Sequence, residues 1–213
     1  MRAPAPPEPQ ALLFDLGGVL VDVDFSRALG AWASYSPLSP EELKRKFQFD
    51  KQYEQHERGE IEANEYFDHL TSTLKLAATR EEVERGWNSI FVGEIAATRT
   101  LVEAARHSLP CFAFTNTNAS HMACWSRLFP KVVGAFDQIF ASHEMGLRKP
   151  ERAAFEHVCR TTGVPAHSFI FFDDLPENVN AASEAGLQAV LVRSPDDVAN
   201  ALRNLGHRLK SGA

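Results

Sequence analysis

Apolar positions along the chain fall into two patterns. In the first, short continuous apolar runs stop on polar residues. Ala11-Leu-Leu-Phe14 ends on Asp15, Cys111-Phe-Ala-Phe114 on Thr115, and Phe169-Ile-Phe-Phe172 on Asp173 and Asp174. Gln138-Ile-Phe-Ala141 and Ala189-Val-Leu-Val192 are runs of the same kind. In the second pattern, apolar residues recur at helical spacing over Thr98 to His107, Ala119 to Leu128, Glu151 to Thr162, Glu177 to Ala185 and about Pro195 to Leu209. Continuous apolar strands alternating with helices predict a parallel sheet covered on both faces.

One stretch breaks the alternation. Gly17 and Gly18 punctuate the first run, and Val19-Leu-Val21 reads as the same buried strand resuming after a tight turn. From Phe25 to Phe91 the pattern is helical, with candidates over Ser26 to Ser34, from Ser39, over Glu62 to Leu74, and over Thr79 to Ile90. Ser39-Pro40-Glu41-Glu42 has a cap, a proline at the first helical position and acids in the first turn. Thr79-Arg-Glu-Glu82 fits a capping box. The expected fold class is α/β: a Rossmann-like parallel sheet core with helices on both faces and an inserted all-helical cap domain. The expected division is 1–23 core, 24–91 cap insertion and 92–213 core.

Composition sets outer limits. The 213 residues carry 28 acidic and 22 basic side chains, a formal net charge of −6. The 68 residues of the insert hold 13 acidic and 9 basic groups, so most of the excess lies there. No basic stripe marks a nucleic-acid footprint. No apolar run approaches the ~18 residues of a membrane span. Met1 to Gln10 holds four prolines and one arginine without the apolar stretch of a signal peptide, and reads as a loose leader. Cys111, Cys124 and Cys159 show no paired spacing and read as thiols of a reducing cytoplasm. A cytoplasmic monomer or weak homodimer is expected.

In an open parallel sheet, ligands bind beyond the carboxyl ends of the strands. That edge gathers Asp15, Thr115, Asp173 and Asp174, with Lys149 in the loop Gly146-Leu-Arg-Lys149-Pro150. Three carboxylates together repel unless a cation joins them, and magnesium, a hard ion, prefers oxygen ligands. Lys149 adds positive charge, and Thr115 offers a hydroxyl to a phosphoryl oxygen. Carboxylate nucleophile, cation and donors together describe phosphoryl transfer.

At this point four stretches resemble the four motifs of the haloacid dehalogenase superfamily: Phe14-Asp15-Leu16-Gly17-Gly18-Val19-Leu20, Phe114-Thr115-Asn116, Arg148-Lys149-Pro150, and Phe172-Asp173-Asp174-Leu-Pro-Glu-Asn178. The first motif with its continuation to Phe25, the stretch Gln55-His-Glu-Arg-Gly-Glu-Ile61, and Phe171-Phe-Asp-Asp174 look like the bacterial α-D-glucose-1-phosphate phosphatase subgroup. The resemblance implies a magnesium-dependent phosphatase acting on a small phosphorylated metabolite, such as glucose 1-phosphate. It implies Asp15 as nucleophile, the Gly17 carbonyl and Asp174 on the metal, and Asp173 ligating directly or through water. It further implies Asn178 orienting the loop, Thr115 and Asn116 on the phosphoryl group, and Lys149 steadying Asp15 and phosphate.

The departure is Gly17, where most phosphatases of that superfamily carry a second aspartate that protonates the leaving group. Such a group is worth about 10²–10⁴-fold in rate. An acidic leaving group, such as an anomeric hydroxyl, would need it least. His56 or Glu57 of the insert are alternative proton donors, and Arg58 is a candidate contact to sugar or phosphate. A metal-independent 2-haloacid dehalogenase, a phosphotransferase or mutase, and a weakly active binding or regulatory protein are the competing readings.

Overall fold

The computed structural model describes residues 8–211, with side chains through residue 206. Residues 1–7 of the expected leader lie outside the described residues.

The chain opens with β1 (Ala11–Phe14) and, after a turn, β2 (Val21–Val23). The helices of the insert follow: α1 (Ser26–Trp32), α2 (Pro40–Lys46), α3 (Lys51–Glu57), α4 (Ala63–Leu74) and α5 (Arg80–Trp87). The chain then returns through β3 (Phe91–Glu94) and α6 (Ala96–Ala105) to β4 (Cys111–Thr115). After it come α7 (Ala119–Leu128), α8 (Pro130–Gly134), β5 (Gln138–Ala141), α9 (Ser142–Met145) and α10 (Arg152–Thr162). The last elements are β6 (Phe169–Asp173), α11 (Pro176–Glu184), β7 (Gln188–Leu191) and α12 (Pro195–Ser211).

Five of the seven described strands form a parallel sheet in the order β5-β4-β1-β6-β7. β1 and β6 are buried along their whole length, which is why they read as unbroken apolar runs rather than alternating ones. The sheet separates two apolar layers, one around Leu12, Phe14 and Phe172, the other around Leu13, Phe114 and Phe171. The stacked rings of Phe14 and Phe172, 4.6 Å apart, tie the two central strands together.

The helical insert has its own core, built on Trp32, Tyr66, Phe67, Leu70 and Trp87. Both expected caps are formed. Ser39 and Glu42 make one reciprocal capping box, and Thr79 and Glu82 the other. Trp32 Nε1 donates to the Val83 carbonyl, which satisfies a polar atom inside this core.

Two expectations need correction. Val21–Val23 does not resume the first strand. It leaves the sheet and pairs antiparallel with β3, forming a two-stranded ribbon at the base of the insert. Val19, Leu20 and Val21 are buried, as their apolar run suggested, while Asp22, next in the ribbon, is exposed. The stretch between the helices predicted from Ser39 and over Glu62 to Leu74 holds a further helix: α3 runs through Glu57, capped by Asp50, whose side chain accepts from the Tyr53 N–H, and Arg58 and Gly59 form the turn after it.

Candidate active site

Register places the charged groups. Phe14 pairs with Phe172 across β1 and β6, so Asp15 and Asp173 emerge side by side at the carboxyl edge of the sheet. Thr115 ends the strand on the other side of β1. Lys149 arrives from the loop after α9 and is almost completely buried, at 1% exposure. Its ammonium donates to Asp15 Oδ1 at 2.8 Å and to Asp173 Oδ2 at 2.7 Å, over the rings of Phe114 and Phe171. An isolated ammonium at this depth would lose its proton. Here burial does push the Lys149 pKa down, but the two carboxylates outweigh it and the net shift is upward.

Asp15 responds in the opposite sense. Burial raises its pKa from 3.8 to about 7 against the pull of Lys149, with Asp173 and Asp174 adding to the rise. Asp174 is also raised, by burial first and Asp173 second. One oxygen from each of Asp15, Asp173 and Asp174 lies within 4.8 Å of the others. This all-oxygen set suits a hard divalent cation, which would relieve the repulsion that now favours protons. A further observation fits. Asn178 Oδ1 is a buried acceptor without a partner beside these carboxylates, as a water on a hydrated cation would require.

The three acids are not equivalent. Asp173 is fully buried, and its oxygens already accept from Lys149, the Asn178 amide and the Leu175 N–H. Asp15 and Asp174 face the cavity instead. Gly18 sits in the left-handed region at φ +69°, and a Cβ there would overlap the Asp174 carboxylate, so only glycine lets the two come together. Gly17 is under no such constraint. A Cβ at that position would meet nothing nearer than Val23 Cγ2 at 3.9 Å.

The cavity above this edge has a volume of about 680 Å³ and is lined on its far side by residues of the insert. Thr115 and Asn116 line it. The Asn116 side chain, however, is committed to main chain: its amide donates to the Lys149 carbonyl at 2.9 Å and its oxygen accepts from the Lys149 N–H at 2.8 Å. That amide fixes the loop carrying Lys149, which leaves the Asn116 side chain a positioning role.

Arg58, a candidate substrate contact on sequence grounds, is not among the cavity-lining residues. Its guanidinium pairs with Glu151 of the core and Glu54 of its own helix, because the end of α3 lies against the start of α10. His56 is not positioned as a proton donor to the cavity either. It is buried and stacked on Tyr66, and burial lowers its pKa to about 4. Glu57 does line the cavity, 3% exposed, and accepts from Arg148 Nε at 2.8 Å. Arg148 had no role assigned from sequence, although it precedes Lys149; its pairing with Glu57 spans 91 positions and leaves no local signal. The cavity residues Phe49 and Tyr53 also went unsingled, since nothing distinguishes them from core aromatics in a helical pattern.

A family model described as haloacid dehalogenase-like hydrolase matches residues 9–186. The chain belongs to the haloacid dehalogenase-like hydrolase family. It is therefore an enzyme, a hydrolase with the five-stranded core and helical insert described above. Among curated members, it is 24% identical over 182 residues to a D-ribitol-5-phosphate phosphatase of Bacteroides thetaiotaomicron, covering 83% of this chain and 88% of that one. It is 27% identical over 209 residues to a phosphatase of Mycobacterium tuberculosis, covering 92% and 94%. Among solved structures, a haloacid dehalogenase family enzyme of B. thetaiotaomicron in complex with magnesium and inorganic phosphate superposes with a TM-score of 0.78. That pair is 27% identical, with 87% of this chain and 94% of the other covered.

Proposed function

We propose that this hydrolase is a magnesium-dependent phosphatase of a small phosphorylated metabolite, a sugar phosphate such as glucose 1-phosphate. The observation that carries the reading is the buried Lys149 ammonium held between Asp15 and Asp173, with Asp174 beside them at the floor of the cavity. In this reading Asp15 attacks phosphorus and the alcohol departs. Water then hydrolyses the aspartyl-phosphate. Lys149 holds the Asp15 carboxylate in place, favours its ionised form against burial, and offers charge to the phosphoryl oxygens. Thr115 donates its hydroxyl to one of those oxygens. Asp15, Asp174 and the Gly17 carbonyl would hold magnesium, with Asp173 and Asn178 behind them; when bound, the ion neutralises phosphoryl charge. Residues 24–91 act as a cap that excludes bulk water. The enzyme works as a cytoplasmic monomer or weak homodimer. The three cysteines, all free thiols, and the absence of any described helix long and apolar enough to cross a membrane fit that setting.

Asp15→Asn is expected to abolish phosphate release from sugar phosphates and from acetyl phosphate while keeping the melting temperature within a few degrees. Chelation should abolish it reversibly in the wild type. Gly17 favours the second reading, a metal-independent dehalogenase, since that chemistry has no use for a second aspartate. Activity that survives chelation would decide for it and against the phosphatase.

A further inference from the structure

The cavity has two unlike ends. The floor holds Asp15, Asp174 and Lys149, which fix where a phosphoryl group sits. The alcohol attached to that group must therefore extend toward the insert. There the wall is apolar and aromatic, made by Phe25, Phe49 and Tyr53 of the insert, with Phe91 of the ribbon.

Phe49 is unusual within this wall. At 58% exposure it is the most exposed of the large apolar side chains among the described residues, yet it is not loosely held. Three rings support it: Phe25 at 5.1 Å, Phe47 at 5.7 Å and Tyr53 at 4.6 Å between centroids. The Phe25 and Phe47 contacts are edge-on, the geometry that aromatic pairs favour. A second exposed apolar residue, Leu175 at 44%, borders the same cavity from the core side, next to Asp174. Open apolar surface supported by neighbours and turned to a binding cavity is surface that a ligand covers. Polar groups stand at its border. Arg148 pairs with Glu57 and Glu54, and the Glu54 side chain keeps 41% of its surface open to accept from a hydroxyl.

We propose that Phe49, backed by Tyr53 and Phe25, is a specificity-determining platform for a ring-shaped leaving group, and that the substrate is the phosphate monoester of a pyranose. This rests on the phosphatase reading of the same site. A pyranose presents a flat C–H face to an aromatic ring and hydroxyls at its edge to Glu54 and Arg148. An acyclic polyol has no continuous apolar face and must order more rotatable bonds to lie along the wall. The chain is thereby distinguished from its B. thetaiotaomicron relative, whose name specifies an acyclic substrate.

The test pairs Phe49→Ala and Phe49→Trp with three substrates: glucose 1-phosphate, ribitol 5-phosphate and acetyl phosphate, the last too small to reach the wall. Wild-type enzyme should prefer glucose 1-phosphate over ribitol 5-phosphate by about 10-fold or more in kcat/KM. Phe49→Ala should raise KM for glucose 1-phosphate by about 5-fold or more and leave acetyl phosphate within two-fold. Phe49→Trp should keep KM near wild type. Equal losses on glucose 1-phosphate and acetyl phosphate, or equal use of the cyclic and acyclic sugars, would overturn the platform. If wild-type enzyme releases no phosphate from acetyl phosphate, it is the phosphatase reading that fails. Calorimetric titration of glucose 1-phosphate into Asp15→Asn and Asp15→Asn/Phe49→Ala then decides the platform alone. A binding loss of about 5-fold or more in the double variant supports it, and no loss refutes it.

Discussion

Gly17 is the residue at which this site departs most from the commonest chemistry of its family, and the surrounding structure does not impose it. Its backbone is outside the left-handed region, and a Cβ would find ordinary van der Waals space. Gly18, one position on, is the glycine that geometry demands. The missing side chain at 17 therefore bears on the reaction rather than on folding. With no acid at position 17, the rate should depend steeply on the acidity of the departing alcohol. Gly17→Asp is expected to fold with an unchanged circular dichroism spectrum. It should speed cleavage of simple alkyl phosphates by about 10-fold or more, within the range of a general acid, and barely change acetyl phosphate. A plot of log kcat/KM against leaving-group pKa should flatten; an unchanged slope would show that Gly17 is not where the acid is missing. At this scale the sequence was informative about which residues reach the edge and less so about their partners. Asp15, Asp173 and Asp174 end buried strands, so topology alone carries them there. Asn116 lies at the right edge too, yet its side chain turns to the Lys149 main chain, a direction that no spacing encodes.

Among the secondary elements, the insert meets the core along two lines of different chemistry. Near the ribbon the contacts are mostly neutral. Trp87 stacks on His121 at 4.3 Å and donates to Asn118, and Asn88 donates to Ser120. At the far end the contacts are ionic: Arg58 with Glu151, and Arg148 with Glu57 and Glu54. There Gly59, at φ +67°, packs so closely on the His143 carbonyl that a Cβ would overlap it. Removing an ionic contact at the far end is therefore expected to loosen the insert there and leave the neutral contacts near the ribbon in place. Arg148→Met leaves the buried Glu57 carboxylate with the Tyr53 hydroxyl as hydrogen-bond donor and the charge of Lys149, but without its ion-pair partner. The expected cost is about 1–3 kcal/mol in denaturant unfolding, together with a raised KM for any substrate that the closed cap must enclose. Glu57→Gln in that background should recover part of the stability, because the uncompensated charge is gone. A double variant no more stable than Arg148→Met would show that the uncompensated Glu57 charge is not the source of the cost. Neither line was legible beforehand. The capping boxes at Ser39 and Thr79 are four-residue signals and can be read directly. The ribbon pairs three residues with four across the whole insert, and α3 is only seven residues long, too short to show a period.

For the molecule as a whole, these buried groups couple stability to pH in opposing directions. His56 and His121 are kept neutral by burial, with pKa values lowered to about 4 and about 3. Between those values and 6.5 the unfolded chain binds protons that the folded one refuses, so both histidines remove stability as pH falls through 6.5. Asp15 works the other way. Its folded pKa of about 7 lies above the unfolded 3.8, so it removes stability as pH rises through that window, where the folded site would retain a proton. A divalent cation competes for the place of that proton. Magnesium should therefore stabilise the protein far more at pH 7.5 than at pH 5, by a difference on the order of 5 °C in Tm for a chain of this length. It should also expose the histidine dependence that Asp15 partly masks, so that with magnesium Tm falls more steeply between pH 7 and 5 than with chelator. Differential scanning calorimetry at several pH values, with magnesium and with chelator, separates the two. A magnesium effect that is flat across the range, or larger at pH 5, would mean that Asp15 does not share its site with the ion. The modest net charge of −6 hides this behaviour, because the groups that govern it are three clustered carboxylates, one buried lysine and two neutral histidines rather than the charged surface.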